Sequence, residues 1–177
     1  MGDRKKLSVS PRVCLNLDNS QFFKKQQKCC LYRRDRNGAR RKMKIILLIE
    51  DKSEEMEKAK MILTEEGFRF VSADNLDDAM RIWSRLADRI SGVLTDLHFP
   101  ETTGQKEGAC GFAVVTRAVR LGIPVSICTD VNHHFCGYIK YFVEDMGKLT
   151  GRKIPYTMDS KDWRQAVQKL VEQFKED

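Results

Sequence analysis

The sequence predicts an α/β domain: a doubly wound, five-stranded parallel sheet of order 2-1-3-4-5 with helices on both faces. Three observations predict it. From residue 43 onward, strand-like and helix-like segments alternate five times, and such alternation makes a parallel sheet covered by helices. Ile45-Ile-Leu-Leu-Ile49 is a continuous, β-branched-rich apolar run, as a strand buried on both faces requires. Acids or a hydroxyl then follow the strands, Glu50-Asp51, Asp96 and Thr129, at the edge where open α/β sheets bind ligands.

The elements follow in order. After the first strand, Ser53 is placed to cap a helix with Glu54 and Glu55 in its first turn, where the helix dipole favours acids. Met56, Ala59, Ile62 and Leu63 make its apolar stripe, and Gly67 stops it. Phe68 to Ala73 reads as the second strand. Asn75 caps a second helix whose Ala79, Ile82, Trp83 and Leu86 face the core. Gly92 to Asp96 is the third strand, broken by Pro100. Residues 101–111 form a glycine-rich loop longer than such connections usually are. A third helix is expected over Phe112 to Leu121, ended by Gly122. Ile123 to Thr129 is the fourth strand, Tyr138 to Met146 the fourth helix and Ile154 to Met158 the fifth strand. Ser160 is placed to cap a final helix carrying Trp163, Ala166, Val167, Leu170, Val171 and Phe174 at helical spacing, a core-facing stripe.

The net charge of +7 belongs to one end of the chain. Residues 1–42 carry 13 Lys/Arg against 3 Asp/Glu, whereas residues 43–177 carry 19 against 22. Residues 1–42 show no sustained period and read as a basic, disordered extension. They suit an arm for nucleic acid or a membrane surface. A second reading takes Met43 as the true start, since Met43-Lys-Ile-Ile-Leu-Leu-Ile opens a domain naturally and Arg40-Arg41-Lys42 suits a purine-rich ribosome-binding site read in frame. Residues 43–177 are the domain. Ile45–Ile49 is the longest purely apolar run, far below the roughly 20 residues a membrane span needs. No apolar stretch of roughly 7–15 residues follows the basic amino terminus, so no signal peptide is expected. Six irregularly spaced cysteines in such a chain are expected as free thiols in a reducing cytoplasm.

In the expected strand order, strands one, three and four are neighbours, so Glu50, Asp51, Asp96 and Thr129 converge on one pocket. Three carboxylates repel one another unless a cation neutralises them, and oxygen ligands that leave room for waters suit Mg²⁺. A carboxylate placed there can act as a nucleophile towards a phosphoryl group. The Thr129 hydroxyl can then donate to a phosphoryl oxygen.

With these residues in place, the chain resembles a receiver domain of two-component response regulators. Ile-Leu-Leu-Ile-Glu50-Asp51 is similar to the family's acidic pair after strand one. Val-Leu-Thr-Asp96-Leu-His-Phe-Pro100 is similar to its phospho-acceptor segment, and Ile123-Pro-Val-Ser-Ile-Cys-Thr129 to its fourth strand with the switch hydroxyl. The 45 residues from Asp51 to Asp96 also fit. The resemblance covers residues 43–177. It implies Glu50, Asp51, Asp96 and the backbone carbonyl of His98 as Mg²⁺ ligands, Asp96 as phospho-acceptor, and Thr129 with Tyr156 as the switch. It further implies a cytoplasmic phosphorelay phosphoprotein rather than an enzyme. Its partners would be a histidine kinase or phosphotransfer protein and a downstream protein, with nucleic acid reached only through residues 1–42.

Four departures stand beside the resemblance. The Asp96-to-Pro100 exit is one residue longer than Asp-x-x-Pro. The loop before the third helix is lengthened. Asp130 follows Thr129 where the family has a small residue. If Tyr156 matches the strand-five aromatic, the family's lysine position falls on Asp159, and Lys153 and Lys161 are out of register. A pocket without that cation would make the chain a pseudo-receiver, an interaction module that is not phosphorylated. A small doubly wound enzyme or nucleotide binder is a further alternative, although Gly104, Gly108 and Gly111 match no phosphate-loop spacing. His98, Cys110, Cys128, His133, His134 and Cys136 also gather near the same edge and could hold a transition metal. Their spacing fits no standard site, and Cys128 reads as a small buried hydrophobe.

Overall fold

The structure is a computed structural model that describes residues 32–34, 40–42, 44–130, 136–157 and 160–176. The chain divides into two compact units, Met1–Lys42 and Met43–Asp177. In the first, Tyr32–Arg34 pairs antiparallel with Arg40–Lys42, setting Arg33 opposite Arg41 and Arg34 opposite Arg40. The expectation of disorder otherwise falls on residues outside the described ones.

The second unit is built on a parallel sheet. Its strands are β1 (Ile45–Ile49), β2 (Arg69–Ala73), β3 (Ile90–Thr95), β4 (Val125–Cys128) and β5 (Tyr156–Thr157). They lie in the order β2-β1-β3-β4-β5, the expected 2-1-3-4-5. The helices are α1 (Ser53–Glu65), α2 (Leu76–Leu86), α3 (Gly111–Arg120), α4 (Cys136–Thr150) and α5 (Trp163–Glu176).

Alternation along β1 explains the layers, because successive side chains leave a strand on opposite faces. Leu47 and Ile49 join a core with Trp83 of α2, Val115 of α3 and Ile139 of α4. Ile46 and Leu48 join a second core with Met56 and Leu63 of α1 and Trp163 and Leu170 of α5. All five β1 side chains are therefore buried, which is why the run shows no polar alternation. Gly92 is required where α5 crosses β3: a Cβ there would stand 2.8 Å from the Phe174 ring.

Several boundaries differ from the sequence reading. Asn75 caps α2 as expected, its side chain accepting from the Asp78 amide at 2.8 Å. Ser53 does not cap α1; Lys52 holds that position and its side chain makes no capping bond. Ser160 does not cap α5 either. Asp162 does, accepting from the Gln165 amide at 2.9 Å. The long connection after β3 is not all loop, since Phe99–Pro100 pairs antiparallel with Glu107–Gly108. β5 has two residues rather than five, with Met158 and Asp159 outside the described residues.

Candidate functional site at the carboxyl edge of the sheet

The sheet ladders themselves deliver the acids. The Asp96 amide donates to the Ile49 carbonyl at 2.9 Å and the Glu50 amide to the Ala73 carbonyl at 3.1 Å. Both residues thus leave their strands in register with a neighbour. One carboxylate oxygen each of Glu50, Asp51 and Asp96 lies within 4.8 Å of the others. Among the described residues this is the group of His, Cys, Asp and Glu that could hold a metal ion. Glu50 is 1 % exposed and Asp96 0 %, so water does not screen their repulsion.

Lys161 answers that repulsion. Its ammonium donates to Glu50 Oε2 at 2.6 Å and to Asp96 Oδ2 at 2.7 Å, with only 5 % of its side chain exposed. This corrects the reading of the pocket as lacking a cation. Register counting from Tyr156 pointed to Asp159, but β5 ends at Thr157 and the cation comes from the following loop. A signal was available: Lys161 follows β5 and so lies at the pocket's edge of the sheet, whereas Lys153 precedes the strand.

The remaining bonds fix the carboxylates' other oxygens. Asp96 Oδ1 accepts from the Leu97 amide at 2.6 Å, and Glu50 Oε1 accepts from the Lys52 amide at 2.9 Å. Burial, and next the Asp96 charge, push Glu50 up to about 7, with Lys161 opposing the rise. Burial would lower the Lys161 ammonium, but Asp96 and Glu50 outweigh it and hold it above the ordinary lysine range. Among the described residues, two buried polar atoms at this edge are without a hydrogen-bond partner, Asp51 Oδ1 and the Thr129 hydroxyl. Thr129 is fully buried, its amide donating to the Thr157 carbonyl at 3.3 Å. His98 is half-buried two residues beyond Asp96, and Tyr156 is half-buried on β5 against the core.

The residues present fit Mg²⁺. Three carboxylates against one ammonium leave an excess of two negative charges, and Asp51 Oδ1 is an oxygen still lacking a partner. A hard divalent cation with oxygen ligands satisfies both. The histidine and cysteine grouping fares differently. His133, His134 and the Cys136 side chain lie outside the described residues. Cys128 is fully buried, its thiol pushed up to about 12 by burial, which suits packing rather than ligation.

No family model and no curated protein matches the chain by sequence. Solved structures do match it. A response regulator receiver domain from Clostridium thermocellum superposes with a TM-score of 0.53 at 20 % identity, covering 75 % of this chain and 98 % of that one. A CheY-like receiver domain from Methanospirillum hungatei gives 0.54 at 20 %, covering 76 % and 99 %. Residues 43–177 have the receiver fold. The receiver domain of a signal transduction histidine kinase from Syntrophus aciditrophicus matches as well, with a TM-score of 0.54, 19 % identity and coverage of 75 % and 91 %. The receiver fold accounts for the strand order, and the acidic cluster lies at the carboxyl end of its sheet. Among the described residues, no helix is long and apolar enough to cross a membrane.

Proposed function

We propose that this receiver-fold domain acts as a response-regulator receiver that accepts a phosphoryl group on Asp96. The observation that carries the reading is the Lys161 ammonium seated between Glu50 and Asp96. It places one positive charge against two buried carboxylates, at the atom that would meet an incoming phosphoryl group. Glu50, Asp51, Asp96 and the His98 carbonyl would hold Mg²⁺, which when bound neutralises and polarises an incoming phosphoryl group.

This chain's own residues do the rest. An Asp96 carboxylate oxygen forms an oxygen–phosphorus bond while the phosphorus–nitrogen bond of a donor phosphohistidine breaks, and the imidazole leaves with the electron pair. Lys161 exchanges its contact with Asp96 for one with a phosphoryl oxygen. Thr129 supplies its unpartnered hydroxyl as a donor to another. Loss of that hydroxyl's orphan state, with Tyr156 on the adjacent strand, couples the modified aspartate to the outer face of the sheet. The donor is a histidine kinase or phosphotransfer protein, the output is docking to a downstream protein, and the setting is the cytoplasm. The reading as an unphosphorylated interaction module rested on a pocket without a cation, and Lys161 removes that ground.

The test is intact mass after incubation with Mg²⁺ and a small phosphodonor. One phosphate adduct is expected, absent in Asp96→Asn. An unmodified wild-type protein under every donor would overturn the reading.

A further inference from the structure

We infer that Lys52 and Asp130 form a strap that closes the mouth of the Asp96 pocket and limits which phosphodonors reach it. The inference rests on the phospho-acceptor reading above. Lys52 Nζ donates to Asp130 Oδ2 at 3.3 Å. Lys52 lies just beyond β1 and Asp130 just beyond β4, and in the sheet order these two strands flank β3. A bond joining the residues past β1 and β4 therefore crosses the carboxyl end of β3, where Asp96 sits.

Exposure gives the same layering from outside inward. The Lys52 and Asp130 side chains are 44 % and 52 % exposed, Lys161 is 5 % and Asp96 is 0 %. The strap is anchored at both ends to the pocket beneath it. The Lys52 amide is held by Glu50 Oε1, and Asp130 directly follows Thr129. Both charges of the pair are engaged by each other, so the ammonium is not offered to an approaching phosphate while the strap is closed. A donor must break the pair before its phosphorus can approach Asp96. Bulk at the mouth and the loss of that ion pair set the barrier. A protein donor that brings its own charged groups can replace both partners, and a small donor cannot.

The test compares rates of adduct formation with phosphoramidate, read by intact mass, in wild type, Asp130→Ala and the charge-reversed double variant Lys52→Asp/Asp130→Lys. An exposed pair of this kind is worth a modest factor, so Asp130→Ala is expected to react about two- to fivefold faster. The reversed pair is expected to bring the rate back towards wild type. An unchanged rate in Asp130→Ala overturns the strap, as does a double variant that stays fast. If no variant forms an adduct, the phospho-acceptor reading falls and the strap is judged by hydrogen exchange of the Leu97 amide. That amide is bonded to Asp96 Oδ1 beneath the mouth. Faster exchange in Asp130→Ala upholds the strap, and equal exchange overturns it.

Discussion

Lys161 holds two buried carboxylates that would otherwise face each other with little screening by solvent. Removing one partner from a buried ionic group leaves uncompensated charge and typically costs about 3–5 kcal/mol. Lys161→Met is therefore expected to lower stability by about 3 kcal/mol in denaturant titrations at neutral pH, and added Mg²⁺ is expected to restore part of it. Glu50 supplies a pH dependence with a definite sign. Its folded value, about 7, lies above the ordinary 4.5, so between these values the folded chain keeps a proton that the unfolded chain has released. Stability in chelator should thus be highest below about 4.5, as far as this group is concerned, and fall as pH rises through about 7. Urea titrations across that range should show the decline, and Glu50→Gln should flatten it. Mg²⁺ needs the ionised form, so its apparent affinity should rise over the same interval with release of a proton.

At the scale of elements, the exit from β3 is packed as tightly as the core. Leu97 and Phe99 are both fully buried, and the Gly111 amide donates to the Leu97 carbonyl at 3.0 Å. A Cβ on Gly111 would stand 2.5 Å from the Asp96 carbonyl oxygen and 2.7 Å from Leu97 Cα. Gly111→Ala must push α3 away from the Asp96–Leu97 backbone. It is expected to cost about 1–3 kcal/mol, as overpacking does, and to slow adduct formation, checked by thermal unfolding alongside intact mass. Legibility varied between elements for physical reasons. The α2 cap was readable because Asn75, Asp77 and Asp78 carry the whole signal within one turn. The α1 start was not, because the Lys52 amide is taken by a site carboxylate rather than by a local cap. At α5 the sequence reading takes Ser160 as the cap, two residues before the one that forms. The choice of Asp162 puts Lys161 on the loop just ahead of the helix, from which its side chain reaches the pocket. Lys161 itself escaped register counting because a long, flexible side chain need not start from a strand position.

For the molecule as a whole, the sheet order and its two cores were legible because β–α alternation and the unbroken Ile45–Ile49 run leave few alternatives. The pocket's acids were legible because strand ends are fixed by the same ladder that fixes the sheet. The cation and the Lys52–Asp130 pair depend on contacts between segments far apart in the chain, such as the 65 residues separating Asp96 from Lys161. A ligand that binds only the folded state stabilises all of it. Mg²⁺ at about 100 times its dissociation constant should add about 2.7 kcal/mol, seen as a rise of several degrees in the unfolding midpoint. Chelation should reverse the rise, and Asp51→Asn should abolish most of it.

Trp163 adds a practical consequence. It follows Lys161 by two residues, is 1 % exposed, and its indole donates to Glu55 Oε2 of α1 at 3.0 Å. The other tryptophan, Trp83, belongs to the core on the opposite face of the sheet. The protein therefore carries one native fluorophore two residues from Lys161 and a second as an internal reference. A change in occupancy of the pocket can be followed by emission from the unlabelled chain.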